Sequence, residues 1–275
     1  MASGPRRDTR GIVDAPHLFT HVRFRRREPA EALRPYLEHY WLIDWDLTEP
    51  YAAHVVPHPS VNLVLQRYGA GETARERAGY AEVAGIGLGL FTQKLAGRGR
   101  VCGVQFRPGG FRPFAPGRPV SDWTGRRIDA ADALRPPPSV RAVLDPDDED
   151  ARVAALDACL LALEPRPDPQ ATLAMALVDR VRTDRTVRRV DGLARDAGLS
   201  ARSLQRLFSA YVGVGPKWVI LRYRIHEALE RAESDPAVDW ARLAADLGYS
   251  DQAHLVRDFT ATVGVPPTAF AAPQR

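Results

Sequence analysis

The sequence predicts an α+β fold, with a β-rich N-terminal domain followed by an all-helical C-terminal domain. Short apolar stretches bounded by Gly and Pro dominate the chain up to about residue 135. Residues 193–208 and 243–259 are two versions of one segment, offset by about 50 positions. Proline-rich stretches separate the two regions. We therefore expect domains at 1–135 and 170–275, joined by a linker, 136–169, that carries one helix.

The N-terminal domain begins with a predicted short helix, 29–39, and continues as strands. Val, Ile and aromatic residues are enriched in the strand segments, and Gly or Pro ends each of them. The predicted strands are 40–46, 54–56, 61–66, 82–86 and 100–106. Such a set forms a small barrel or sandwich, and a cupin-like barrel is one form of it. The mouth of a barrel can hold a small ligand.

Three N-terminal side chains are candidates for ligand binding. His54 and His58 are spaced so that two imidazoles could approach one centre, and Arg107 follows a strand where it could meet an anion. A cupin metal site needs three histidines or two with a carboxylate, and no third ligand is indicated by the spacing. We therefore predict hydrogen-bonded histidines, with no metal and no cofactor. Trp41 and Trp45 alternate onto one face of their strand, where core packing is the expected role.

Composition excludes several classes of protein. The two cysteines, Cys102 and Cys159, are too few and too far apart for a disulfide framework or a cysteine-based zinc site. No apolar run is long enough for a membrane helix, and residues 1–10 lack the apolar core of a signal peptide, so we expect a cytoplasmic protein with no membrane partner. The net charge of +4 and the pI of about 9.3 permit nucleic-acid binding without demonstrating it.

The linker is predicted to contain a helix over 151–163, bracketed by prolines. An acidic run precedes this helix, and negative charge is favourable at a helix N-terminus. A hinge or an interdomain helix is the expected role.

Each copy of the repeated segment reads as helix, turn, helix. Apolar residues at helical spacing, such as Leu193 and Ala194, give the first helix one buried face. Gly198 and Gly248 then end that helix, because glycine adopts the left-handed conformation of a helix end at little cost. Ser200 in the first copy, and Ser250 or Asp251 in the second, can cap the helix that follows. Two such helices make a helix-turn-helix.

The second helix of each copy presents polar side chains away from its apolar residues. Arg pairs bidentately with guanine and Gln with adenine in the major groove, so these helices carry the chemistry needed to read bases. Asp258 is unexpected there, because a carboxylate near phosphates is unfavourable unless it is paired. The candidate DNA-binding residues are Arg202, Ser203, Gln205 and Arg206 in the first copy, and Gln252, His254, Val256 and Arg257 in the second.

The paired segments resemble the DNA-binding domain of the AraC/XylS family of bacterial transcription regulators. The resemblance includes Gly213, Pro216 and Trp218, and their counterparts Gly264, Pro267 and Phe270, where the family has a Gly, a Pro and then an aromatic residue. It implies a sequence-specific regulator of transcription that binds double-stranded DNA, with an N-terminal domain that senses a small effector or forms a homodimer. It also implies contact with RNA polymerase, and it implies that the chain is not an enzyme.

A single connecting helix is predicted between the copies, over 217–233. At ~1.5 Å per residue it spans about 26 Å, which suits two reading helices in consecutive major grooves. Two alternatives stay open. The chain could be a cupin-type metal-dependent enzyme fused to a DNA-binding module, or an architectural DNA binder that responds to no ligand.

Overall fold

The computed structural model describes residues 11–235 and 237–270. The segment 1–10, in which we expect no signal peptide, lies outside the described residues, as do Pro236 and 271–275. The described part confirms the α+β class, with an antiparallel sheet followed by helices. None of the helices in these ranges is both long enough and apolar enough to cross a bilayer.

Seven strands form the N-terminal sheet. Their neighbours follow the order β1-β3-β6-β4-β5-β7, and β2 pairs with β3 beside β1. The sheet curls around a cavity, but its described strand order is open at both ends, so the barrel is not closed. The strands are β1 (Ile12–Val13), β2 (Arg23–Arg27), β3 (Leu37–Val55), β4 (Asn62–Tyr68), β5 (Tyr80–Ala84), β6 (Phe91–Phe106) and β7 (Arg127–Asp129).

Twelve α-helices lie in the described ranges, most of them after the sheet. The first five are α1 (Ala15–His21), α2 (Ala74–Ala78), α3 (Ala130–Ala133), α4 (Val140–Leu144) and α5 (Glu149–Leu161). The others are α6 (Pro169–Thr183), α7 (Val190–Asp196), α8 (Ala201–Tyr211), α9 (Pro216–Ser234), α10 (Trp240–Asp246), α11 (Gln252–Val263) and α12 (Pro267–Phe270).

The two faces of the sheet have different surroundings, because successive side chains of each strand point to opposite faces. On β3, Tyr40 and Leu42 point to the outer face and join the main core. Trp41 and Ile43 point to the inner face, which lines the cavity. The outer face is covered by α4 and α5, so it is a packed core, while the inner face keeps open space.

Segment 136–169, which we expected to carry one helix, carries two, α4 and α5, and side chains hold α5 on the outer face of the sheet. Arg152 of α5 is 1% exposed, and its guanidinium donates to both carboxylate oxygens of Asp44 on β3. Arg100 of β6 donates to the same carboxylate at 2.6 Å and to the carbonyl oxygen of Leu144. A buried arginine is stable only when it is paired in this way. These contacts fix α5 on the sheet.

The predicted helix at 29–39 is wrong. Only a 3₁₀ turn, Glu31–Leu33, forms there, and β3 begins at Leu37. Pro35 explains the difference, because a proline inside a helix lacks an N–H donor and its ring displaces the preceding turn. The five predicted strands fall on β3, β4, β5 and β6, two of them on β3. β1, β2 and β7 were not predicted.

Candidate nucleic-acid interface and ligand cavity

The two helix-turn-helix copies close their turns with the same hydrogen bonds. In the first, the backbone N–H of Leu199 donates to the carbonyl oxygen of Ala194 at 2.9 Å; in the second, Tyr249 donates to Ala244 at 2.9 Å. Gly198 and Gly248 stand before the two donors with φ of 65° and 74°. Glycine is needed there because other residues adopt this conformation at a cost. The duplication in sequence is thus a duplication in geometry.

The second helix of each copy is capped by a different kind of residue. The Ser200 hydroxyl accepts from the N–H of Ser203 at the start of α8. In the second copy the Asp251 carboxylate accepts from the N–H of His254 at 2.8 Å. The cap follows the turn glycine by two residues in the first copy and by three in the second, so the second turn is one residue longer and Asp251 caps α11. These hydrogen bonds lower the pKa of Asp251, with the backbone N–H of His254 as the main cause.

On α8, three candidate side chains form an exposed face. Arg202, Gln205 and Arg206 are exposed, whereas Leu204 and Phe208 are buried. Within the described residues, neither arginine forms an ion pair or a hydrogen bond. The amide of Gln205 lies beside Gly215, where an added Cβ would come within 3.0 Å of it. Arg202 and Arg206 therefore keep their full donor capacity for an external acceptor.

Ser203 is only half-exposed, because it takes part in the cap of α8. Its hydroxyl lies 2.9 Å from that of Ser200. This geometry leaves Ser203 with a local structural contact, and the predicted role in DNA binding stays a prediction.

On α11, the exposed candidates are Gln252 and Arg257. Val256 is half-buried and offers no hydrogen bond. His254 is tied into its own helix end, with Nδ1 3.2 Å from the Ser250 hydroxyl and Nε2 3.6 Å from the Asp258 carboxylate. This second face therefore carries fewer groups that are free to read bases.

The structure accounts for Asp258. Its carboxylate turns toward His254 and the buried Tyr249, rather than outward. Burial raises the pKa of the Tyr249 hydroxyl, and the charge of Asp258 adds to that shift. The charge of Asp258 also favours the protonated Arg224, although burial lowers the pKa of that guanidinium overall. Asp258 is thus compensated inside the domain.

The loop between α6 and α7 holds the second copy in place relative to the first. Arg188 on this loop donates to the carbonyl oxygen of Asp246 on α10, and its side chain packs against Gly248. Arg224 of α9 donates to the carbonyl oxygen of Arg188 at 2.9 Å, and Arg231 pairs with Asp246 at 3.3 Å. These contacts link the connecting helix and both copies into one assembly.

The arginines that precede the first copy are mostly used within the protein. Arg180 pairs with Asp196 at 2.6 Å, Arg182 with Glu38 at 2.9 Å and Arg185 with Glu227 at 2.9 Å. These ion pairs fasten α6 and its loop to neighbouring elements.

A cavity of about 570 Å³ lies on the inner face of the sheet. Its interior is lined by apolar and aromatic side chains, among them Trp41, Trp45 and Val64. Its mouth is bounded by Arg182 of α6 and Tyr223 of α9. The volume lies within the range of pockets that bury a small organic molecule.

The three predicted ligand-binding residues are not brought together. His54 does not line the cavity, and its Nδ1 lies 2.9 Å from the Thr92 hydroxyl on the neighbouring strand. His58 and Arg107 do line it. Arg107 donates to the Asp179 carboxylate and to the carbonyl oxygen of Pro35, so its charge is already compensated. Among the described residues there is no cluster of three side chains able to hold a metal ion.

Sequence reasoning missed the side chains that shape the cavity. Trp41 and Trp45 pack in a hydrophobic cluster as expected, with Trp45 only 4% exposed, but both also line the open space, which was not predicted. His39 lies at the end of the same row, and burial, with the charge of Arg26 as a smaller cause, lowers its pKa to about 3. The alternation of Trp41 and Trp45 was a usable signal, since a shared face can border a cavity as well as a core.

The connecting helix α9 is docked against the mouth of the cavity. Arg222 is 4% exposed and donates to the carbonyl oxygens of Pro57 at 2.9 Å and Leu88 at 2.8 Å. Burial lowers the pKa of this guanidinium to about 10. His226, one turn further on, stacks on His58 with the rings nearly parallel. α9 therefore contacts loops of the sheet domain as well as the two helix-turn-helix copies.

Two family models match parts of the chain. Residues 193–272 match one described as a helix-turn-helix domain, and residues 25–129 match one described as a domain of unknown function (DUF6597). No curated protein matches the chain.

Several solved structures resemble the chain weakly. A 1.65 Å structure of ToxT from Vibrio cholerae is 9% identical, with a TM-score of 0.43 over 84% of this chain and 97% of that one. Wild-type ToxT from Vibrio cholerae strain SCE256 with an unsaturated fatty acid bound is 13% identical, with a TM-score of 0.42 over 84% of this chain and 94% of that one. ToxT from strain O395 bound to (E)-4-(8-methylnaphthalen-1-yl)but-3-enoic acid is 10% identical, with a TM-score of 0.43 over 90% and 98%. At these values the likeness supports no inference about this chain.

Proposed function

We propose that the chain is a DNA-binding transcription regulator of the AraC type and that a small ligand in the N-terminal cavity controls how it reads DNA. The helix-turn-helix domain matched at 193–272 supports the first part of this proposal. The observation that carries the proposal is the position of α9. This helix borders the mouth of the cavity through Tyr223 and also connects the two helix-turn-helix copies. One element thus contacts both proposed sites.

In the proposed complex, α8 and α11 enter consecutive major grooves on one face of the DNA. The 19 residues of α9 give it a length of about 28 Å, close to the ~34 Å of one DNA turn once the offsets of α8 and α11 are added. Arg202 and Arg206 supply bidentate contacts to guanine, and Gln205 contacts adenine. Gln252 and Arg257 supply the fewer contacts of the second helix. Ser203, His254 and Val256 stay in the proposed interface as positioning or apolar contacts.

Ligand control follows from differential affinity. A ligand shifts a protein between two arrangements only by as much as it prefers one of them. A molecule that fills the cavity touches the loop at Pro57 and His58, on which Arg222 and His226 are anchored. Its binding therefore biases the position of α9. Pairing of two chains and contact with RNA polymerase remain predictions from the family resemblance, to be checked by sedimentation and by co-purification with the polymerase.

Genome-wide occupancy of the full chain is the test of sequence-specific binding. We expect enrichment at a small set of sites that share two half-sites about one helical turn apart. An operator taken from that set would then be used in fluorescence anisotropy with the wild-type protein and an Arg206→Ala variant. Occupancy that follows DNA accessibility with no shared sequence would contradict sequence-specific reading.

A further inference from the structure

The inner face of the sheet pairs each cavity tryptophan with a glycine. Trp41 lies opposite Gly103, and Trp45 lies opposite Gly99, on the neighbouring strand β6. A Cβ added at either glycine would come within 1.9 Å of the facing indole ring. The indoles therefore lie flat across β6, in space that only glycine leaves open.

Flat indoles give the cavity a broad aromatic wall. One face of each ring covers the backbone of β6, and both residues line the cavity. Ile43 lies between them on the same face, and Tyr68 packs 5.5 Å from Trp45 between ring centroids. Aromatic rings favour offset stacking on such a surface. The wall matches a planar partner better than a branched one.

A row of neutral polar side chains borders this wall. His39, Gln105 and Asn62 are paired across β3, β6 and β4, and all three line the cavity. Within the described residues, the side chains of His39 and Gln105 form no hydrogen bond. Ser60 lines the same end and is 3% exposed, and its hydroxyl has no hydrogen-bond partner in that part of the chain. A buried polar group without a partner costs about 1–3 kcal/mol, so these groups are suited to a ligand.

The row carries no charge at neutral pH. The pKa of His39, lowered to about 3 by burial and by the Arg26 charge, keeps its imidazole neutral. The ionised residues around the cavity are largely matched to partners: Arg34 with Glu28 at 3.2 Å, Arg182 with Glu38 at 2.9 Å and Arg127 with Glu82 at 2.7 Å. A charged ligand would have to compete with these existing pairs or lose its hydration without compensation.

We propose that the effector is a flat, uncharged aromatic or fused-ring molecule with a hydrogen-bonding group on one edge. Its ring face lies on Trp41, next to the nearly buried Trp45, and its polar edge meets Gln105, Asn62 and Ser60. This inference rests on the proposed function in one respect, namely that the cavity is the effector site. It adds the chemical class of the ligand.

The experiment uses two dyes that share one ring system. N-phenyl-1-naphthylamine is uncharged, and 8-anilino-1-naphthalenesulfonate carries a sulfonate. Both become fluorescent in apolar sites, so the full-length protein is titrated with each. We expect saturable binding of the neutral dye with one site per chain, at least about tenfold tighter than binding of the anionic dye. Competition with naphthalene, 1-naphthol and dodecanoic acid then compares three affinities: that for the ring alone, that for the ring with a polar group, and that for an alkyl carboxylic acid.

Three variants locate the site. Trp41→Leu removes the stacking surface and is expected to weaken binding of the neutral dye about fivefold, whereas Trp41→Phe should retain most of the affinity for this dye. Gln105→Leu should abolish the preference for 1-naphthol over naphthalene without weakening naphthalene. Circular dichroism melting of each variant confirms that the fold is kept, and the Phe variant controls for a general effect of changing position 41.

Three outcomes would contradict the inference, and each contradicts a different part of it. Tighter binding of the anionic dye or of dodecanoic acid overturns the ligand class and leaves the cavity as an effector site. If the Trp41→Leu variant binds the neutral dye as tightly as the wild type does, the stacking role of Trp41 is overturned. If no probe binds, both the ligand class and the proposed ligand control fail, whereas anisotropy with operator DNA tests DNA binding independently.

Discussion

The imidazole ring of His226 on α9 lies parallel to that of His58 at the cavity mouth, with ring centroids 4.1 Å apart and an interplanar angle of 2°. Beside this stack, Arg222 donates to two backbone carbonyl groups of the sheet domain. The helix that connects the two helix-turn-helix copies is therefore attached to the sheet domain by side chains on a single face.

Replacing Arg222 with Met should destabilise the protein by about 2 kcal/mol or more. The change leaves the carbonyl groups of Pro57 and Leu88 without their buried donor, while the apolar stem of the side chain is largely preserved. Urea unfolding followed by tryptophan fluorescence measures the effect. Arg202→Met, at an exposed position on α8, is the matched control and should change stability by less than about 0.5 kcal/mol. Equal stability of the two variants would contradict the anchoring role of Arg222.

Stability should fall as the pH is lowered from 6.5 toward 3, in part because of His39. Its pKa is lowered from 6.5 to about 3 in the folded protein, mainly by burial. In this window the unfolded chain binds a proton that the folded chain does not, so acid favours unfolding. One pH unit below 6.5, this single group costs on the order of 1 kcal/mol.

Urea midpoints at pH 7.5 and 5.5 measure the effect of His39. The His39→Gln variant should lose less stability between the two pH values than the wild type, whereas the exposed His17→Gln control should behave as the wild type. An unchanged pH dependence in His39→Gln would show that His39 does not contribute.

Arg206→Ala should weaken binding to the operator by about 1–3 kcal/mol and relax the preference at one base pair. The reason is the loss of one bidentate contact to guanine. Fluorescence anisotropy on the operator and on a scrambled duplex measures both effects. Arg118→Ala, an exposed arginine of the N-terminal domain, serves as the control. Equal weakening on the two duplexes would indicate that Arg206 contacts only phosphate.

The two reading helices should contribute unequally to specificity. The double change at Arg202 and Arg206 removes most of the base-reading donors of α8, whereas α11 offers only Gln252 and Arg257. We therefore expect Arg202→Ala with Arg206→Ala to reduce the ratio of specific to non-specific affinity more than Gln252→Ala with Arg257→Ala. Anisotropy on operators mutated in each half-site compares them. A larger loss from the α11 pair would reverse the assignment.

The glycines of the two turns should differ in their tolerance of alanine. Both have positive φ, so each change costs on the order of 1 kcal/mol in backbone conformation. A Cβ at Gly198 meets nothing within 4 Å, but one at Gly248 comes within 2.9 Å of the Arg188 side chain. Gly248→Ala should therefore be the more destabilising change in thermal unfolding. The difference should shrink when Arg188 is also replaced by Ala, and a difference that persists would rule out that contact as its cause.

The C-terminal domain is predictable because its signals are local. Gly198, Gly248, Ser200 and Asp251 mark the helix ends in the sequence, and each takes the expected role in the structure. The predicted connector, 217–233, differs from α9 by one residue at each end. These features depend on neighbours within a few residues, where capping and glycine conformation decide the structure.

The N-terminal domain is less predictable because its signals come from distant partners. The sequence of β2 has four arginines in five residues, a pattern typical of a polar loop. In the structure most of these arginines form ion pairs with acidic residues far along the chain, such as Glu149. Gly103 lies inside a predicted strand and Gly99 just before it, but the sequence does not indicate that both make room for indoles on β3. Neither relationship is visible until the strands are paired. The same is true of the cavity that those indoles border.

The length of α9 makes it a lever arm. It is pressed against the sheet domain near its middle, at Arg222 and His226, and its ends carry the two reading units. With 19 residues it is about 28 Å long, so a tilt of only about 5° displaces one end by roughly 2.5 Å relative to the other. Such a displacement is comparable to the ~3.4 Å rise between successive base pairs. On the proposed function, a ligand needs only a slight rearrangement at the cavity to move the reading helices in or out of register with the operator.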